Sequence, residues 1–484
     1  MLKSISLENY KCFKDETTID IAPLTVLCGV NSSGKSSILK SLLMLKQSYE
    51  NTDTTNQMTF NGNYVDNGSF FEIISENPIK KIFTLSNQFT IEKLDSSSGT
   101  KEYTIYRDLY RLFYNSSITK FDITNTIDVT ASDGFINPNK INRFYVEIKL
   151  CIDEKIIMVS SVELIKNLAN NKYSIICKNV PDVSGKVDSL YIPYCTCYFS
   201  GMTLNSIYKN NMENDQKVFI PSIVTIFKLI SSQYSLINYI APLRENPKRT
   251  YVLDRDIASV GISGENTALL LKKVYDNNTT GMLAPPSEDY EDTVYDEVSN
   301  KKFNVLLQSW MSYLGLGIIE LDDQQQDIIK INVNKHNISD VGFGVSQSLP
   351  ILVEGLSMRT KQTLLLEQPE IHLHPKMQMR MADFLLSLAM QDKQVIVETH
   401  SDHIINRLVR RALESKKFYD KIQIYFIDKN DEGFSFKENI TIDPVDGALC
   451  ENENFFYQFA SETEKIIDAG YKNLEKKRKL QDNV

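Results

Sequence analysis

The chain has 484 residues, 42% apolar and 24% charged, proportions that suit a folded chain with two or three sizeable cores and exclude a disordered one. A net charge of −9 argues against a protein that coats nucleic acid over its whole surface, because such binding runs on phosphate neutralisation, though a local basic patch is allowed. Seven cysteines, an odd number without paired CxxC spacing, exclude a disulfide framework and a zinc ribbon and read as free, mostly buried thiols.

The opening MLKSISLENYKCF lacks the continuous apolar core of a secretory signal. The longest apolar stretch, VFIPSIVTIF at 218–227, is too short and interrupted to span a bilayer. The expected setting is the cytoplasm, with no membrane partner. Residues 2–29 read as two or three strands, the last of them LTVLCG, apolar and ending at a glycine-rich turn. A helix follows at 36–47, SSILKSLLMLKQ, with apolar positions three and four apart. From 76 to 185 the pattern changes to short alternating segments such as FTIEKL and RFYVEIKLCI, separated by Asn, Asp and Ser, which predicts an antiparallel sheet region. Between 186 and 330 the spacing predicts a helix over 217–239 and two more within 264–315, flanking the acidic loop APPSEDYEDTVYDE, so this part reads as a helical insertion or arm. From 331 to 484 strands alternate with helices, which predicts a mostly parallel sheet with helices on its faces. The expected division is therefore 1–75 and 331–484 as the two parts of one α/β unit, with 76–185 and 186–330 inserted between them.

Four motifs carry chemistry. GVNSSGKSS at 29–37 fits G-x-x-x-x-G-K-S between a strand and a helix. Its glycines let backbone N–H groups wrap phosphates, Lys35 reaches the β and γ phosphates, and Ser36 can ligate magnesium. TLLLEQPE at 363–370 ends an apolar strand in Glu367, where a carboxylate would hold magnesium directly or through water, with Glu370 three residues on. VIVETHSDH at 395–403 ends another strand in Glu398, Thr399 and His400, and a histidine there can meet a γ-phosphate or an attacking water. DVGFGVSQSLPILVEGL at 340–356 places Gly342 and Gly344 in a turn before a helix that holds Ser346, a second anion-binding device suited to a partner subunit's nucleotide.

All five histidines, His336, His372, His374, His400 and His403, fall in one stretch, but a zinc cage adds nothing to the nucleotide reading. Two basic runs, NRLVRRALESKK at 406–417 and KNLEKKRKL at 472–480, read first as solvated helix faces and only second as phosphate-contacting surfaces.

In their order, these motifs resemble ATP-binding-cassette-like ATPases, the group that includes chromosome-maintenance heads, RecF and the overcoming-lysogenization-defect proteins. VGFGVSQ, EQPEIHLHP, ETHSDHIINR, YIAPLRENPKR at 239–249 and WMSYLGL at 310–316 are most similar to stand-alone ATPase subunits of bacterial antiphage defence systems of the Septu and PARIS type. The resemblance covers the first 75 residues and 239–460, while 76–238 carries none of it. It implies an α/β head that binds ATP and Mg2+, with Gly29, Asn31, Gly34, Lys35, Ser36 and Ser37 as the phosphate loop. Glu367 would be the metal-bearing acid beside Ser36, His400 the switch histidine, and Gly344 and Ser346 a degenerate signature motif. It also implies assembly into a homodimer or larger homo-oligomer, control of a separately encoded effector, expected to be a nuclease, and DNA or a phage protein as trigger. The chain after His403 carries no histidine and no DxD pair, so a nuclease motif is not expected there.

The main departure from the family is Gln368, which stands where an Asp-Glu pair would place the catalytic glutamate. An amide cannot act as a general base. Either Glu370 or Glu398 supplies the carboxylate, with Glu370 preferred, or turnover is slow and ATP chiefly holds a dimer closed. The competing reading is a RecF-like ATPase that clamps DNA in repair; the acidic balance and the lack of a long coiled coil disfavour it, as the long insertion disfavours a transporter cassette.

Overall fold

The computed structural model describes residues 1–443 apart from 55–56, 76–80, 94–100, 114–116, 132–138, 168–169, 254–256, 278–281, 287–294, 296, 299–300 and 326–327. Two sheets dominate the described residues. The larger has nine strands, every pair antiparallel, in the spatial order Thr203–Tyr208, Val187–Ser200, Lys172–Pro181, Lys155–Asn167, Asn139–Ile152, Lys120–Ala131, Ile82–Glu92, Leu2–Glu8 and Thr17–Asp20. The second has six, in the order Ile237–Ile240, Thr363–Glu367, Gln394–Glu398, Leu24–Gly29, Ile422–Lys429 and Ser435–Ile440; the first five are mutually parallel and the sixth is antiparallel. Below, Leu24–Gly29 is the loop strand, Thr363–Glu367 the acid strand and Gln394–Glu398 the histidine strand.

Strand periodicity divides the interior into two cores. Leu27, Leu365, Ile396 and Ile427 face a first core that also takes the inner face of the nine-stranded sheet and the helices Lys35–Glu50 and Ile220–Tyr234. Aromatic contacts knit it together: Tyr49 stacks on Tyr234 at 4.6 Å and Phe144 meets Phe227 edge-on at 5.7 Å. Their neighbours Val26, Leu366, Val397 and Phe426 face a second core under the helices Thr267–Val274, Phe303–Leu314, Phe343–Ser357, Pro375–Met390 and Asp402–Glu414. Covered on both faces, the acid and histidine strands are continuous apolar runs, as parallel strands between helices must be.

Several expectations are corrected. The largest sheet is antiparallel, so a mostly parallel architecture holds only for five neighbouring strands of the smaller one. The first two strands, expected beside the phosphate loop's sheet, lie at the edge of the antiparallel sheet instead, because a short turn with left-handed Asn9 (φ 54) and Lys11 (φ 51) folds the chain back on itself. The antiparallel region continues beyond 185 to Tyr208. The helix expected over 217–239 stops at Tyr234, and Ile237–Ile240 becomes the edge strand beside the acid strand, so the supposed arm contributes to the core sheet. Most of the acidic loop at 284–297, the tail run at 472–480 and Cys450 lie outside the described residues.

The run at 406–417 is a solvated face only in part: Arg410, Lys416 and Lys417 are exposed, whereas Arg407 and Arg411 turn inward. Arg411 is 2% exposed and donates through Nε to Asp383 Oδ1 at 2.7 Å, Arg407 Nη1 lies 3.4 Å from Asp383 Oδ2, and Tyr313 donates to the same carboxylate at 2.6 Å. Asp383 itself is fully buried, so Arg407 and Arg411 hold two helices together and are not free to meet phosphate. Replacing Asp383 with Ala should lower stability by about 3 kcal/mol, because Arg411, left with Glu414 alone, and Arg407 then lose the buried carboxylate that they share. Urea unfolding followed by circular dichroism measures this, and an unchanged midpoint would show that the network contributes nothing.

Candidate functional site

The loop at 29–37 begins where only glycine fits. Gly29 has φ 132, and a Cβ there would lie 2.1 Å from the carbonyl oxygen of Ile427 on the neighbouring strand. At its other end Gly34 has φ 106, and a Cβ would lie 2.6 Å from Cys12 Sγ. Lys35 then opens a helix without an acidic residue in its first turn, leaving its N–H groups and positive dipole end for an anion. Lys35 is 3% exposed and donates from Nζ to the carbonyls of Gly29 at 3.0 Å and Val30 at 2.6 Å. Burial pulls its pKa below the usual lysine range, with the charge of Glu398 acting the other way.

Residues 31–37 line one wall of a cavity of about 370 Å³; Cys12, Gln368, Glu398 and His400 line the rest. The sheet explains the convergence. Leu27 pairs with Glu398, and Glu398 pairs with Glu367, so three strand ends stand in register. Glu398 is 3% exposed; its Oε1 accepts the Ser36 hydroxyl at 2.9 Å and its Oε2 has no partner. Burial, then the charge of Glu367, pushes its pKa up to about 7. Gln368 has a left-handed backbone (φ 46) fixed by its N–H donating to the Glu398 carbonyl at 2.8 Å.

Glu367 is buried but does not line the cavity. Its Oε1 accepts the Tyr239 hydroxyl at 2.8 Å, its carbonyl accepts Arg244 Nη2 at 2.9 Å, and burial raises its pKa. Ser36 therefore meets Glu398 rather than the Glu367 expected beside it, because the histidine strand lies between the acid strand and the loop strand. Glu370 is likewise absent from the cavity wall; its Oε1 accepts the backbone N–H of His400 at 2.7 Å, and burial raises its pKa. His400 does reach the cavity, and partial burial, then the charge of Lys35, lowers its pKa.

Gly342 caps the helix Phe343–Ser357, and Ser346 donates back to the Phe343 carbonyl at 3.0 Å. Neither Gly344 nor Ser346 lines the cavity; beside them Phe343 is 59% exposed. Sequence reasoning missed Tyr239 and Arg244 as braces of Glu367, Glu398 as the partner of Ser36, and Cys12. The signal for Glu398 was available, since the strand flanking a phosphate-loop strand must present its own end to the loop. Cys12 arrives by a tertiary contact that no local pattern announces.

Among the described residues no group of three or more His, Cys, Asp or Glu side chains is placed to hold a metal ion. What Ser36, Glu398 and its neighbour Glu367 do offer suits a hard cation such as magnesium, which takes one or two carboxylates and keeps its other positions for water and phosphate. The unpartnered, buried Oε2 of Glu398 is the observation that supports this fit.

A family model described as AAA ATPase domain matches residues 1–405. No curated protein matches the chain. Among solved structures, the SMC head domain from Thermotoga maritima is 12% identical, with 91% of this chain and 99% of that one covered and a TM-score of 0.36. An Smc head bound to the C-winged helix domain of ScpA is 10% identical over 91% and 98%, with a TM-score of 0.39. An Smc head with an extended coiled coil, bound to the C-terminal domain of ScpA derived from Pyrococcus furiosus, is 12% identical over 91% and 96%, with a TM-score of 0.40.

The raised pKa of Glu398 has a consequence for stability. Between the ordinary glutamate value of 4.5 and about 7 the folded state holds a proton that the unfolded state has released. Stability from this group therefore falls as pH rises through that window. Glu398→Gln should flatten the dependence of unfolding free energy on pH between 5 and 7.5 by up to about one proton. Urea titrations at several pH values without nucleotide or metal measure the slope, and equal slopes in the two proteins would refute the assignment.

Proposed function

The chain belongs to the AAA ATPase domain family, and from that premise we propose that it binds ATP with Mg2+ at the loop 29–37, hydrolyses it slowly, and uses the bound nucleotide to close a homo-oligomer. The observation that carries this is the single cavity lined by the phosphate loop, Gln368, Glu398 and His400. Lys35 leaves the two loop carbonyls it now caps and takes the β and γ phosphates, while the helix N-terminus and loop N–H groups hold the remaining oxygens. Magnesium, when bound, would neutralise phosphate charge, with Ser36 and the carboxylates at the strand ends as its protein ligands. His400 is placed to donate to the terminal phosphate or orient a water.

Gln368 occupies the cavity wall where a base would act, and an amide can orient a water but cannot take its proton. Glu370 is reassigned from base to support, because its carboxylate holds the His400 backbone outside the cavity. With Glu398 engaged by Ser36 and the cation, slow turnover follows, with binding rather than hydrolysis as the main output. Gly344, expected in a turn, lies with Ser346 inside the helix Phe343–Ser357 that Gly342 caps; this helix start lies away from the chain's own cavity beside exposed Phe343, which suits contact with the nucleotide of a second copy. The motif order supports placing this ATPase in a bacterial antiphage defence complex that controls a separately encoded effector. The RecF-like reading stays as the alternative, and salt-dependent binding to plain duplex DNA would favour it. Among the described residues no helix is long and apolar enough to cross a membrane.

Lys35→Ala should weaken ATP binding roughly 100-fold or more, from about 3 kcal/mol of charge-assisted phosphate contact; calorimetry with unchanged affinity would remove the loop from its role. Gln368→Glu should raise phosphate release about 10- to 100-fold by restoring a carboxylate base, whereas Glu370→Gln, which keeps an acceptor for His400, should stay within a few-fold of wild type. A large loss in the Glu370 variant alone would return the base to that residue. Gly344→Arg should abolish ATP-driven association in analytical ultracentrifugation while leaving ATP binding by the monomer intact.

A further inference from the structure

We propose that Glu398, outside the acid-strand motif that the sequence marks for the metal, is a direct ligand of the divalent cation at this site, sharing it with Ser36 while Glu367 stands behind as a braced second acid. The inference rests on the ATP reading above and deepens it. Three features carry it. Glu398 sits on the strand between the acid strand and the loop strand, paired in register with Glu367 on one side and Leu27 on the other, so it is the nearer carboxylate to the phosphate loop. Its Oε1 already accepts the Ser36 hydroxyl at 2.9 Å, and a serine that donates its proton this way keeps its oxygen lone pairs for a cation. Its Oε2 is buried without a partner in a residue only 3% exposed that lines the cavity. An unmatched carboxylate oxygen there is costly unless something positive meets it.

Glu367 cannot fill that role in the same way. Its Oε1 accepts the Tyr239 hydroxyl, its carbonyl is held by Arg244, and it does not line the cavity. Two buried carboxylates in register on adjacent strands repel one another, with Lys35 and Lys40 acting the other way at Glu398 and Lys40 and Arg244 at Glu367. A divalent ion bound between Ser36 and Glu398 offsets that repulsion and brings its charge to the phosphate side of the pair.

The test uses the full-length protein, Mn2+ as the cation, and a fluorescent ATP analogue. Analogue binding is first measured in EDTA for wild type, Glu398→Gln and Glu367→Gln; Mn2+ is then titrated at saturating non-hydrolysable ATP analogue, with free Mn2+ read by electron paramagnetic resonance. The glutamine variant preserves an acceptor for Ser36 and removes only the charge. Glu398→Gln removes a negative charge beside the phosphates and so should strengthen metal-free binding while weakening Mn2+ at least 10-fold, and Glu398→Asp, which keeps the charge on a shorter arm, should fall between the two. Mn2+ affinity within twofold of wild type in Glu398→Gln, with a loss in Glu367→Gln, would assign the metal to Glu367 and overturn the proposal. Loss of metal-free binding in Glu398→Gln would overturn it too, by making Glu398 a brace of the phosphate loop. Failure of wild type itself to take up the analogue would instead remove the ATP reading on which the proposal rests.

Discussion

Everything at the site depends on three parallel strands ending in register. Leu27 pairs with Glu398 and Glu398 with Glu367, so a loop, a carboxylate and a second carboxylate are delivered side by side from segments more than 300 positions apart in the chain. Side chains alternate faces along a strand, so a slip of one residue in the histidine strand would exchange Ile396 for its neighbours between the two cores. Burial of both faces makes such a slip expensive, and the position of Glu398 in the cavity is thereby set by apolar residues that never touch it. Gly29 contributes to the same constraint, since any side chain there would drive into the Ile427 carbonyl and push the neighbouring strand away.

This arrangement collects charge where burial disfavours it. Lys35, Glu367, Glu398 and Arg244 are each at most 6% exposed. Some are matched: Lys35 caps two carbonyls, and Glu367 is held by Tyr239 of the edge strand and by Arg244 just after it. Others are not, as the unpartnered Oε2 of Glu398 and Nε and Nη1 of Arg244 indicate. Contrast the Asp383 network, where arginines and a tyrosine converge on one carboxylate and the result reads as structure alone. Buried polar groups left unmatched on a cavity wall mark a place that gains stability when a ligand arrives.

The parts legible in the sequence were those dictated by local backbone chemistry. The phosphate loop needs glycine at positive φ and a strand before it, and both are visible in a nine-residue window. The acid and histidine strands declared themselves because two-sided burial leaves unbroken apolar runs. The antiparallel stretch after residue 82 alternates visibly, with Phe83, Leu85 and Phe89 on the inner face. What stayed hidden was long-range. Nothing local distinguishes the Leu2–Glu8 strand as a member of the antiparallel sheet, and an apolar run ending in INYI reads as more helix until an edge of the parallel sheet is available to receive it. The arginines at 407 and 411 look solvated until a buried aspartate, 24 and 28 positions earlier, is placed beneath them.

Gln368 shows how far geometry goes beyond the motif. Read as a letter, it is a glutamate replaced. In the fold it is a residue held in a left-handed conformation by the Glu398 carbonyl on the wall of the cavity, which Glu398 also lines, while Glu370 lies off that wall with one carboxylate oxygen on the backbone of His400. A strained backbone retained at such a point is supported by the surrounding contacts, and the support here comes from the same strand that carries the cavity carboxylate. Position 368 therefore keeps a hydrogen-bonding side chain without a carboxylate, and the carboxylate on that wall is the one the histidine strand delivers, Glu398.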